Sequence, residues 1–201
     1  MIRNIFSYTK LIFCITRERE NGFMTNKHKV INIVYNGVFI IMSLILALLF
    51  GKISIFPFLK LDFSDIPVFL ATLISGTSSG ITVLFIVSFL RSLMFSSAGW
   101  IGFLIRITTV IVVFGLGLFW HKKIKMIYKV LGISVFVIFC LSIRLVLNYY
   151  FWVNFFGISP AVINGMLATI ILPYNLLKTI LMLIISILLE KPLKKLINLL
   201  N

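Results

Sequence analysis

From about residue 30 onward the chain is a series of apolar runs separated by short polar or basic stretches. A membrane-spanning helix needs roughly 17–25 mostly apolar residues. Val30–Phe50, Gly99–Trp120, Val130–Trp152 and Asn164–Leu189 reach that length. Ile66–Phe95 reads either as one long span or as two short ones, and Gly76-Thr-Ser-Ser-Gly80 in its middle has the small, polar composition of a turn.

The distribution of charge separates the two counts. Six spans with an internal N-terminus put three basic groups on the cytoplasmic side. These are the N-terminal arm, the cluster His121, Lys122, Lys123, Lys125 and Lys129, and the tail residues Lys191, Lys194 and Lys195. Five spans would leave the last two groups outside, against the preference of Lys and Arg for cytoplasmic loops. The expected organisation is therefore a basic arm over 1–29, a six-helix membrane domain over 30–195 and a basic tail over 190–201. The spans fall at about 30–50, 65–78, 80–95, 99–120, 130–152 and 164–189. Trp100 and Trp152 then lie at outer ends and Trp120 at an inner end, where interfacial aromatics belong. The second and third spans are short, since about 14 residues reach only ~21 Å, and short helices packed in a bundle leave room for a cavity. The arm itself is either an amphipathic segment on the inner membrane surface or an extension upstream of a start at Met24.

Composition agrees with the pattern: of 201 residues, 61% are hydrophobic and 12% charged, where soluble domains are nearer half and a quarter. The excess of 19 Lys+Arg over 5 Asp+Glu reads as membrane orientation rather than as a nucleic-acid surface. Cys14 and Cys140 have no metal-ligand spacing, and Cys140 lies inside an apolar run, so no disulfide is expected. The inventory for catalysis is missing. His28 and His121 sit at span edges, there is no HExxH, and Gly51-Lys52 lacks the earlier glycine of a nucleotide-binding loop because Leu46 stands there. The chain is read as a non-enzyme without a metal or cofactor.

Ionisable residues inside a span default to function. Lys178 is mid-span and follows Asn175 at i+3, and Pro173 frees a backbone carbonyl one turn back. Arg144 and Asn148 share a face at i,i+4, and Arg106 lies about two turns into the fourth span. The structural alternative is hydrogen bonding between helices with Arg91 snorkelling to the interface. Before the second span, Phe-Pro-Phe-Leu-Lys-Leu-Asp-Phe-Ser-Asp-Ile-Pro (56–67) mixes rings with Asp62 and Asp65, a composition that suits a lid over a ring-shaped ligand. Ser64 or Asp65 reads as a helix cap, with Pro67 in the first turn.

That loop, Leu-Asn-Tyr at 147–149 and Pro-Tyr-Asn-Leu-Leu-Lys at 173–178, in this order among six short spans, resemble the riboflavin-binding S component of energy-coupling factor vitamin transporters. The resemblance covers roughly residues 30–195 and implies a six-helix S-component bundle with a ligand cavity open to the outside. It also implies a cytoplasmic N- and C-terminus in a bacterial plasma membrane, riboflavin as the transported ligand, and partnership with a membrane T component and two cytoplasmic ATPases. Asn148, Asn175 and Lys178 match flavin-contacting positions, with Asp62, Phe63, Tyr149 and Tyr174 around them. Gly37, Ser43, Ala47 and Gly51 stand where the family docks the T component, though its Ala-xxx-Ala pattern is replaced. The polar positions that the family often carries in span three fall on Leu84, Val87 and Ser88, and those of span four on Ile105-Arg106-Ile107. Pantothenate or a thiamine pyrimidine is the alternative ligand. A membrane scaffold, or an independent carrier without an intramembrane acid, is the alternative class.

Overall fold

The ambiguous apolar stretch in the middle of the chain turns back on itself. In the computed structural model, helix α2 (Asp65–Ser75) ends at Gly76 and helix α3 (Thr77–Met94) begins directly after it. Gly76 has φ 96°, a left-handed value that side chains with a Cβ resist. Gly80 lets the two helices close up, since a methyl group there would overlap the Thr72 side chain. The Arg91 guanidinium at the far end of α3 returns to Ser64 beside the start of α2, so the pair is an antiparallel hairpin. The turn lies at Gly76, a few residues before the boundary expected between 78 and 80.

The structure describes residues 26–50, 54–56, 59–60, 63–94, 100–122 and 124–200. The chain divides into two units, Met1–Tyr35 and Asn36–Asn201. In the first, the described residues from Asn26 are helical, and most of the arm expected over 1–29 lies outside them. Helix α1 as a whole runs Asn26–Phe50. In the second unit a small antiparallel ribbon follows, β1 (Ser54–Phe56) with β2 (Leu59–Lys60), pairing Ser54 with Lys60 and Phe56 with Leu59. After α2 and α3 come α4 (Trp100–Ile107), α5 (Val110–Trp120), α6 (Met126–Asn154), α7 (Pro160–Met166), a π-helical turn (Leu167–Ile171) and α8 (Leu172–Leu200). Among the described residues the regular structure is helical apart from the ribbon.

Among the described residues, five helical segments are long and apolar enough to cross a membrane. They are Val30–Phe50, Thr77–Met94, Trp100–Trp120, Met126–Asn154 and Pro160–Lys195. Helix α2 is the short one, and its 11 residues span only ~16 Å at 1.5 Å each. It can be short because it is enclosed by the protein. Its residues from Asp65 to Leu73 are all buried, and it packs on α3, α5 and α8. The longer helices face outward instead, with Ile41, Ile45 and Leu49 on α1 and Val135, Phe139 and Val146 on α6 exposed. That is the arrangement expected of a bundle whose solvent is lipid.

Two of the long segments are irregular at mid-length. The segment Trp100–Trp120 breaks at Thr108 and Thr109, between α4 and α5. There the backbone tightens, with Thr109 N donating to Arg106 O at 2.9 Å and Ile111 N to Thr108 O at 3.1 Å. The last segment carries the π turn directly before Pro173. Proline has no N–H to give, so the ladder loses one bond and re-registers over a wider turn. Irregular backbone at membrane depth is tolerated where protein surrounds it or a cavity adjoins it.

Candidate functional site

Asp65 is the first residue of α2 and 8% exposed at its side chain. The sequence offers Ser64 or Asp65 as a helix cap, but neither side chain does that work. Ser64 occupies the N-cap position without a side-chain cap bond. Its Oγ instead accepts from Arg91 Nη1 at 2.6 Å and from Arg106 Nη2 at 2.7 Å. Asp65 meets Arg106 Nη2 at 2.7 Å through Oδ1, a charge contact rather than an aligned hydrogen bond, and Lys178 Nζ at 3.9 Å through Oδ2. The acid thus ties α2 to α4 and α8. Lys178, which has no acid near it in sequence, finds one 113 positions away.

Arg144 completes the cluster from α6. It is 7% exposed, and its Nε and Nη2 donate to the hydroxyls of Thr108 and Thr109 at 2.9 and 2.5 Å. The break between α4 and α5 therefore serves this arginine: two adjacent threonines present hydroxyls that a regular helix would turn to different faces. The Cys140 thiol, one turn before Arg144, donates to the Thr108 carbonyl at 3.2 Å. Arg144 also lies within electrostatic reach of both Asp65 and Lys178.

Asn148 and Asn175 sit on the same faces as Arg144 and Lys178, each half-buried. Each Nδ2 donates to a carbonyl one turn back on its own helix, Asn148 to Arg144 O and Asn175 to Ile171 O, both at 2.8 Å. The second carbonyl belongs to the π turn. Bonding the amide nitrogen this way leaves the amide oxygen to act as an acceptor. Tyr174 is half-buried and Tyr149 exposed. Phe63 packs edge-on against Phe50 with ring centroids 4.9 Å apart. Asp62 and part of the loop expected to act as a lid lie outside the described residues. Leu84, Val87 and Ser88 are all buried in α3, one or two turns before Arg91.

The four small residues expected to form a docking stripe part company. Ser43 is fully buried, with its hydroxyl donating to the Ser64 carbonyl, and Ala47 is buried too. Both face the chain's own interior. Gly37 has open space around it, and Gly51 lies outside the described residues.

A second polar cluster lies one helix length away. Glu190 accepts from the Trp120 indole N–H at 2.9 and 3.0 Å and from Lys194 at 2.6 Å. Lys129 Nζ donates to the Trp120 carbonyl at 2.7 Å, and His121 lies 3.2 Å from the Thr72 carbonyl, beside the Gly76 turn. Twelve residues of α8 separate Lys178 from Glu190, or ~18 Å. The two clusters therefore mark opposite ends of the α2–α3 hairpin.

A short buried helix headed by an acid, broken neighbouring helices and inward polar groups make up a membrane bundle built around a polar site. The chain matches the family described as ECF transporter, substrate-specific component, over residues 32–190. It is 30% identical over 196 residues to the riboflavin transporter RibU of Streptococcus thermophilus, covering 92% of each chain. Its fold matches the S component of a bacterial ECF transporter of known structure with a TM-score of 0.67, at 23% identity, over 84% of this chain and 98% of that one. The chain belongs to the family of substrate-specific components of ECF transporters. It is a multi-pass membrane protein with the role of a substrate-binding transport subunit.

Sequence reasoning had the mid-membrane Lys178 and the two asparagines as candidates but not the pairing of Asp65, nor the role of Arg106 and Arg144. The one signal for Asp65 was scarcity. With five acids in the chain, an acid at a helix start beside four buried or half-buried cations has few rivals as their counter-charge.

Proposed function

We infer that this chain captures a flavin of the riboflavin class from outside the cell and delivers it to an ATP-driven partner module. The observation that carries this reading is the 30% identity to a riboflavin transporter over 92% of the chain. The polar site supports it. A flavin offers carbonyl oxygens and ring nitrogens, which suit the Lys178 ammonium and the amides of Asn148 and Asn175. Tyr149, Tyr174 and Phe63 supply rings to cover its faces, and Asp62 stands in the loop that would close over it. The chain carries no nucleotide motif, so concentrative uptake draws on a membrane T component and two cytoplasmic ATPases. Gly37, on an open part of α1, is the residue of the small set that remains for docking the T component.

The orientation follows from charge. Lys122, Lys125, Lys129, Lys191 and Lys194 gather at the end of the hairpin marked by Gly76 and Glu190, and that end faces the cytoplasm by the positive-inside rule. The Asp65 cluster then faces outward, with six spans and both termini inside a bacterial plasma membrane. Single cysteines at Ser78 and Ser159, both exposed, check this: an impermeant reagent should label Ser159Cys in intact cells and Ser78Cys only after lysis. Labelling of Ser78Cys in intact cells would reverse the assignment. The ligand is checked by purifying the full chain from a riboflavin-containing medium and reading flavin absorbance and fluorescence quenching. A colourless protein that leaves riboflavin fluorescence unchanged would sink the flavin reading.

A further inference from the structure

Arg106 and Lys178 approach the same carboxylate unequally. Arg106 Nη2 lies 2.7 Å from Asp65 Oδ1, whereas Lys178 Nζ lies 3.9 Å from Oδ2. Direct N–H···O bonds span about 2.7–3.2 Å, so the lysine is near enough to feel the carboxylate without being bonded to it. An ammonium carries three donors on a flexible stem. Drawn fully onto Asp65, Lys178 would spend them on α2; held off, it keeps them for a ligand.

The place of Arg106 is set by the helix break that follows it. Thr108 Oγ1 donates to the Ile105 carbonyl at 2.6 Å, and Thr109 N donates to the Arg106 carbonyl at 2.9 Å. Both threonine hydroxyls accept from Arg144, through Nε at 2.9 Å and Nη2 at 2.5 Å. The Cys140 thiol, one turn earlier on α6, donates to the Thr108 carbonyl at 3.2 Å. The inner end of α4 is therefore fastened to α6 on the turn that carries Arg106. No residue of α4 is buried, and its ring contacts with α3 come from Trp100 and Phe103, nearer its other end. The polar contacts at the break, rather than enclosure by neighbours, fix where Arg106 points.

We propose that Arg144, Thr108 and Thr109 are positioning residues for ligand binding: they hold Arg106 on Asp65, and Arg106 in turn keeps that carboxylate from capturing Lys178, whose ammonium stays available to the ligand. The inference rests on the flavin reading for its binding probe only. Without the threonine hydroxyls the turn that carries Arg106 loses its fastening to α6. Arg106 then leaves Asp65, the carboxylate takes up Lys178, and the ligand loses a charged donor.

The experiment compares the purified full chain with Thr108→Val and Thr109→Val, which keep the shape and remove a hydroxyl, and with Thr108→Ser and Thr109→Ser, which restore it. One readout is riboflavin affinity by fluorescence quenching. The other needs no ligand: acylation of Lys178, 16% exposed at its side chain, by a small amine-reactive ester, followed by peptide mass spectrometry. Each valine variant should bind riboflavin about 2- to 30-fold more weakly, the range for coupling carried through an intervening residue, and should acylate Lys178 more slowly than the parent. The serine variants should match the parent in both. A mere loosening of the fold acts in the opposite sense on the second readout, because it exposes Lys178 and speeds its acylation. In Arg106→Gln the acylation should also slow, and adding Thr109→Val should slow it no further. Unchanged or faster acylation in the valine variants would overturn the inference and leave the flavin reading standing, as would a Thr109→Val effect that persists undiminished in Arg106→Gln. A parent protein that ignores riboflavin would sink the flavin reading, while slowed acylation in the valine variants would still uphold the positioning role. The valine and serine variants alone decide the matter if Arg106→Gln fails to fold.

Discussion

Asp65 and Glu190 are both buried carboxylates, 8% and 9% exposed at their side chains, and they lie at opposite ends of the same hairpin. Glu190 is met by neighbours. The Trp120 indole gives one neutral N–H, and Lys194, one turn further along the same helix and 43% exposed, gives the charge. Asp65 is met by residues from other helices, Arg106 of α4 and Lys178 of α8, with Arg144 of α6 close behind. One acid is satisfied locally and pins two helix ends. The other draws together helices whose sequences are far apart. Burial alone therefore does not distinguish a structural acid from a site acid; the source of the surrounding charges does.

The largest effect should follow from breaking the second arrangement at its centre. Asp65→Asn keeps the shape and removes the charge, leaving Arg106 and Lys178 without the carboxylate they share. Stripping one partner from a buried pair costs about 3–5 kcal/mol. The expected outcome is loss of monodisperse protein on size exclusion, with no flavin binding in any that survives. Normal yield and melting temperature would mean that the cations are held by other means.

Lys178→Met is milder for the fold, because Arg106 still holds Asp65 at 2.7 Å. It removes a charged donor from the ligand, worth roughly 1.5–3 kcal/mol. Binding should weaken by about 10- to 150-fold at ~1.4 kcal/mol per decade, with a melting temperature near that of the parent. Parent-like affinity in a flavin titration would place the ligand elsewhere. Asn148→Leu and Asn175→Leu each delete one neutral hydrogen-bonding group, about 0.5–1.5 kcal/mol, so each should weaken binding by about 2- to 13-fold.

The smallest effect belongs to the other acid. Glu190→Gln retains an acceptor for the Trp120 indole and loses only a half-exposed ion pair with Lys194, a contact worth about 0–1 kcal/mol. Flavin affinity should stay within about twofold of the parent, on the scale where ~1.4 kcal/mol is tenfold. A loss comparable to that of Lys178→Met would show that the two ends are coupled, and the contrast drawn between them would need revision.

The two ends were not equally legible in the sequence. Local chemistry reads well: Gly76 and Gly80 mark the turn because one adopts positive φ and the other sits where helices touch. Pro173 announces a disturbed ladder, although the wider π turn it produces depends on how the chain re-registers. The break at Thr108–Thr109 contains neither glycine nor proline, so nothing local foretells it; its hydroxyls are explained by Arg144, 35 or 36 positions later. Asp65 was masked by its own setting, since Ser-Asp-Ile-Pro is an ordinary helix start. Ser43 and Ala47 have the spacing of an outer small-residue stripe, yet which way a helix turns is set by its neighbours. Here the Ser64 carbonyl takes the Ser43 hydroxyl inward.

The brevity of α2 has a consequence for how the protein is made. An 11-residue helix is too short to be recognised as a span by itself, and an aspartate adds about 2.5–3.5 kcal/mol to the cost of insertion at mid-membrane. Synthesis runs from the N-terminus, so Asp65 leaves the ribosome 41 residues before Arg106 and 113 before Lys178. For that interval its counter-charges do not exist. Helix α2 has to wait at the membrane surface, or in a wet crevice beside α3, until α4 brings Arg106. The polar site is then the last part of the molecule to be assembled, and a chain that stalls before Lys178 has no means of closing it.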